Sequence, residues 1–187
     1  MQFPKHNNTL LKYMRHGIDC ADWYNGTAQR LREVFEDDAG LFADILAATS
    51  PNTSVSGNVT LAIKAYQQLK NGKDFAGFLP IVCKMLAIVK HNYETGEALP
   101  FGGEKVQNFA RALRGDMSAV VIDRWMLRAF GWKCLTELRI AKMTAWVRRT
   151  AQRYGMTPCE VQAAVWCGIK RLEDSSGFSV DKFEAYI

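Results

Sequence analysis

Lys105 and Asp123 are the two residues whose types and spacing could do chemistry. The stretch LPFGGEKVQNFARALRGDMSAVVIDRW, residues 99–125, holds both, 18 positions apart. A neutral lysine amine is a nucleophile, and an aspartate offers a fixed negative charge. Together they suit attack at an electrophilic carbon that develops positive charge. Each also breaks a local rule. Lys105 falls in the first turn of a predicted helix, where the dipole favours acids. Asp123 follows Val120-Val121-Ile122, a β-branched run that starts helices poorly. Both placements have a plainer reading as well, with Lys105 on an ordinary surface and Asp123 as a helix N-cap.

The elements that must position them read as helices throughout. Trp23, Ala28, Leu31 and Phe35 recur at helical spacing in ADWYNGTAQRLREVFEDD. AGLFADILAAT is shorter, more apolar and expected to be buried. Pro51 breaks it, and residues 55–70 resume a helix that Asn71-Gly72 ends. Pro80 marks a kink or restart before the next helix. Leu99-Pro100 then leads into a tight turn in which Gly102 and Gly103 can take positive φ at little cost. A helix from Glu104 or Lys105 runs to Arg114 and stops at Gly115. Unpaired amides in such a turn, beside a helix N-terminus, would hold a phosphate; an ordinary inter-helix turn is the plainer reading. Val120–Ile122 should be extended and buried, with Asp123 capping RWMLRAFG. A basic helix closes at Gly155. Thr157, Pro158 and Glu160 form a capping box for the last helix. With no strand pattern, repeat or linker, the chain is expected to be all-α. It reads as one compact domain, with one lobe over about 38–115 and a second over about 1–37 plus 116–187.

Charge narrows the partner. Residues 1–100 hold 10 Lys/Arg and 10 Asp/Glu, whereas residues 101–153 hold 11 against 4, a net of +7. A basic segment of this kind is the footprint of a polyanion, or else a solvated helix face. No apolar run is long enough to span a membrane, and the start lacks an export signal pattern. Five scattered cysteines without a CxxC pair point to a reduced, cytoplasmic protein with no metal or cofactor.

On these residues the chain resembles the helix–hairpin–helix DNA glycosylase superfamily, which includes endonuclease III-like and 8-oxoguanine glycosylase-like enzymes. That family carries Leu-Pro-Gly-x-Gly-x-Lys in its hairpin. In LPFGGEK the Leu, the Pro, the second Gly and Lys105 are in register. Asp123 falls at the family's 18-residue separation, and Arg128 lies five residues further on. LFADILAATSPNTSVSGNVTLAIKAY is similar to the family's apolar helix and lesion-facing loop. The resemblance covers roughly residues 38–130. Phe101 replaces the first hairpin glycine, Trp125 replaces the histidine after the aspartate, and the iron–sulfur cysteines of one branch are absent. In a second register, EKVQNF resembles the family's Lys-Ala-x-Asn-Ile segment and Lys105 is structural. The wording of several segments also resembles small phage-encoded proteins of this fold, some of which build modified bases.

The resemblance implies a two-lobed all-α glycosylase-like fold and a monomer that binds duplex DNA, in a bacterial cell or a phage-infected host. It implies that one nucleotide is flipped out and its base released. Lys105 would attack the anomeric carbon while Asp123 stabilises charge on the sugar, giving a Schiff base that permits β-elimination. Phe101, Gly102, Gly103, Arg111, Arg114, Arg128, Arg148 and Arg149 would contact DNA. Thr49, Asn52, Trp125 and Trp23 would form the base pocket or wedge. Alternatives are a base-modifying transferase on the same scaffold and a non-catalytic DNA-binding module.

Overall fold

Short local signals decide where the helices begin and end. The computed structural model describes residues 7–173, and all their regular elements are helical: nine α-helices and two 3₁₀ turns. The chain divides into two units, residues 7–25 with 116–173 and residues 26–115. The segments 1–6 and 174–187, which the sequence reading assigned to one lobe, lie outside the described residues.

The first unit holds α1 (Asn7–His16), a 3₁₀ turn at Ile18–Cys20 and the first residues of α2 (Trp23–Phe35). It continues with α7 (Arg124–Ala129), α8 (Glu137–Tyr154) and α9 (Pro158–Glu173). Helix α9 is its centre, packed against α1, α7 and α8. Small residues let α1 approach closely. A Cβ on Gly168 would sit 1.8 Å from the Tyr13 carbonyl oxygen, and one on Gly17 would sit 2.1 Å from the Ala164 carbonyl oxygen. Leu10, Met126, Phe130, Met143, Trp146 and Val165 fill the core. Burying each large apolar side chain contributes roughly 1.5–3 kcal/mol. The expected capping box closes the start of α9. Thr157 N donates to Glu160 Oε2 at 2.6 Å, and Glu160 N donates to Thr157 Oγ1 at 3.2 Å.

The second unit holds the rest of α2, a 3₁₀ turn at Glu36–Asp38, α3 (Ala39–Thr49), α4 (Val55–Lys70), α5 (Pro80–Thr95) and α6 (Glu104–Leu113). Residues 41–49 of α3 are all buried, as its apolar composition requires, and α4, α5 and α6 pack around it. Pro80 occupies the first turn of α5, where its missing N–H costs nothing. Asp38 ties three elements together. It accepts from Tyr66 Oη at 2.6 Å and Lys70 Nζ at 2.8 Å, with Tyr93 Oη at 3.3 Å.

Candidate functional site

Asp123 sits where an extended, buried strip meets a helix. Ala119–Ile122 are buried and carry no helix, as their β-branched side chains dictate. Asp123 then caps α7 through Oδ1, which accepts from the amides of Trp125 and Met126, both at 2.9 Å. Its other oxygen is also engaged: Oδ2 accepts from Trp166 Nε1 at 2.8 Å. Cations and indoles gather here. The Arg128 guanidinium lies 4.7 Å from the Trp125 ring centre, and Lys170 Nζ lies 5.2 Å from Trp125 and 5.0 Å from Trp166. Arg128 is exposed and the others are half-buried, so contacts of this kind contribute about 0.5–1 kcal/mol each. Sequence reasoning missed Trp166 and Lys170, because nothing local links α9 to a residue more than forty positions upstream.

Lys105 is half-buried in the first turn of α6, in the second unit. The preceding turn differs from expectation. Positive φ falls at Gly96, at 75°, where it ends α5; Gly103 is extended at φ −68°, and Gly102 is not left-handed either. Gly102 is required for a different reason, since a Cβ there would lie 2.8 Å from Val106 Cβ. Of the two amides expected to face a phosphate, those of Gly102 and Gly103, the first is engaged within the turn. Gln107, its carboxamide oxygen turned inward, accepts from Phe101 N at 2.8 Å and Gly102 N at 3.2 Å. Asn92 fixes the same turn by pairing with both backbone groups of Leu99, at 2.8 and 3.1 Å.

The remaining residues fall into several settings. Phe101 and Trp23 are 5% and 7% exposed, so both are packed inside their units rather than presented as wedges. Thr49 is fully buried, its Oγ1 2.7 Å from Asn58 Oδ1, and it belongs to the core instead of a loop. Asn52 is exposed, in a left-handed conformation at φ 61°. Arg111 Nη1 donates to Asn108 Oδ1 at 3.1 Å, and Arg114 pairs with Asp44. Phe101, Arg111 and Arg114 line one cavity of the second unit. Arg148 and Arg149 are exposed on α8 with Lys142 and Arg153, opposite its buried Met143–Val147–Thr150 face. Arg149 and Arg153 flank a groove of about 60 Å³ beside Asn7 and Leu11 of α1.

Over residues 15–173 the sequence matches the family of unknown function DUF7178. The chain belongs to that family. The match takes in α2 through α9, so both units are part of what defines it. Comparison with curated proteins and with solved structures gives no match.

Charge separates the units. Residues 116–173 carry 10 Lys/Arg and 5 Asp/Glu, whereas residues 26–115 carry 10 and 9. Among the described residues no three His, Cys, Asp or Glu side chains cluster to hold a metal, and no helix is long and apolar enough to cross a membrane. None of the five cysteines is in a disulfide.

Proposed function

We propose that this chain binds duplex DNA through the first unit. The observation that carries the reading is the set of exposed cations Lys142, Arg148, Arg149 and Arg153 on α8, in the unit that holds the charge excess. Basic side chains on a rigid helix attract phosphates and release counterions on contact, whatever the base sequence. Fluorescence anisotropy with a labelled duplex tests it. The affinity falls steeply from low to physiological salt, and joint Arg148→Glu and Arg149→Glu changes weaken it about equally for unrelated duplexes. An affinity that is flat with salt overturns the proposal.

A second reading is base excision on a two-lobed helix–hairpin–helix scaffold, with Lys105 as the nucleophile and Asp123 as the carboxylate. Its support is the resemblance at LPFGGEK and the 18-residue step, together with the fixed orientation that three N–H donors give Asp123. In this reading the lysine amine bonds to the anomeric carbon as the bond to the base breaks. Borohydride then reduces the resulting Schiff base to a stable adduct. Incubating a panel of duplexes with modified bases under borohydride traps wild-type protein but not Lys105→Ala. Release of a free base separates excision from transfer onto a flipped base. No adduct and no released base across the panel leaves DNA binding alone.

A further inference from the structure

The second unit contains a cavity of about 360 Å³ built from α3, α5, α6 and the turn between the last two. Its size is that of a small-molecule site. It is far roomier than the ~30 Å³ share of one water. Leu41, Val89, Leu99 and Phe101 supply apolar walls, and the charged groups are Asp44, Glu97, Arg111 and Arg114.

Asp44 is the unusual member. It stands in the middle of the buried apolar helix α3 and is 4% exposed. One carboxylate oxygen pairs with Arg114 Nη2, while Oδ1 is buried without a hydrogen-bond partner among the described residues. A buried acceptor left open in this way costs free energy that a matching donor recovers. Burial pushes the Asp44 carboxyl up to about 6, against the opposing pull of Arg114. Arg114 is half-exposed and carries further N–H donors of its own. Asp44 thus brings to the cavity wall a carboxylate whose acceptor capacity the protein leaves unfilled, beside the Arg114 donor and among apolar side chains.

We propose that this cavity binds a nucleobase-type heterocycle, its ring N–H or amino group donating to Asp44 and its neighbouring carbonyl or ring nitrogen accepting from Arg114. A donor next to an acceptor is the edge pattern that bases present. A bare phosphate fits poorly, because its negative charge meets the Asp44 and Glu97 carboxylates and it has no flat apolar surface to set against the walls. The inference is independent of DNA binding by α8, which belongs to the other unit.

Gly40 gives a clean test. It lines the cavity in the first turn of α3, and a Cβ added there meets nothing within 4 Å. Gly40→Leu therefore adds apolar bulk at the cavity lining while leaving every polar group of the site in place. The full chain is titrated with adenosine, cytidine, guanosine and uridine, and with inorganic phosphate, while backbone amides are followed by NMR. At least one nucleoside shifts the amides of Gly40, Leu99 and Phe101 to saturation, and inorganic phosphate does not. Gly40→Leu abolishes these shifts, and Asp44→Asn weakens binding by about tenfold or more. If no nucleoside moves those amides, or if the shifts persist unchanged in Gly40→Leu, the proposal is wrong. The wild-type and Gly40→Leu titrations decide it even if Asp44→Asn fails to fold.

Discussion

Trp166 donates its indole N–H to Asp123 Oδ2 at 2.8 Å, so one aspartate both caps α7 and anchors α9. Asn caps helices as well as Asp does, but it has a single oxygen for donors that now share two. Asp123→Asn should therefore cost about 1–3 kcal/mol in urea unfolding, by turning an amide N–H toward the indole N–H. Adding Trp166→Phe should recover part of that loss. If the double variant regains stability yet shows none of the base excision proposed for the wild type, the carboxylate does more than hold the fold. Equal stability of Asp123→Asn and wild type sinks the structural account.

Asp44 gives a pH signature of known sign. Its carboxyl sits at about 6 in the folded chain. An unfolded aspartate titrates near 3.9, so the folded state holds its proton more tightly. This group's contribution is fully present below about pH 4 and is lost as pH rises through about 6, by roughly 3 kcal/mol at neutrality. Arg114 faces it directly, and Glu97, Arg111 and Tyr93 line the same cavity. The difference in stability between wild type and Asp44→Asn should therefore slope across that window. A difference that is level between pH 4 and 7 contradicts the assignment.

Glycines in the two units should respond in opposite directions. Gly168→Ala drives a methyl into the Tyr13 carbonyl and should lower stability by several kcal/mol. Gly40→Ala has open space and should raise it by about 0.5–1 kcal/mol through helix propensity. Thermal melts of both variants check the pair; a neutral Gly168→Ala would mean that α1 does not lie against α9 as described.

Gln107 should protect two amides in the turn before α6. Gln107→Leu removes the acceptor of Phe101 N and Gly102 N. Hydrogen exchange at those two amides should speed up, with a global loss of about 1 kcal/mol. Unchanged exchange there would show that the carboxamide does not bridge the turn.

Helix boundaries were readable from the sequence because they depend on neighbours in the chain. Pro80 starts α5, the Thr157–Glu160 box starts α9, and Gly155 ends α8 with φ at 65°. The extended approach to Asp123 follows from three β-branched residues in a row. The glycine turn differs at Gly102 and Gly103: neither takes a positive φ, Gly102 is required because a Cβ there would crowd Val106, and Gly103 has open space around it. No motif announces that Gln107 folds back onto the same turn. Asp44 did carry a signal, a lone carboxylate in an otherwise apolar helix, but its partner Arg114 lies 70 residues away. Contacts at that separation are set by packing, which periodicity does not encode.

The seat of α1 on α9 has a consequence in time. Residues 26–115 form an unbroken stretch, whereas Tyr13 must wait for Gly168, more than 150 positions later. At about 5–20 residues per second, translation leaves roughly 10–30 seconds between the appearance of the two. During that interval Leu10, Tyr13 and Met14 are already made and lack the helix that buries them. Among the described residues, the helix made last is therefore the one that shelters the helix made first, and a chain released early would display that apolar face to any chaperone or neighbouring nascent chain.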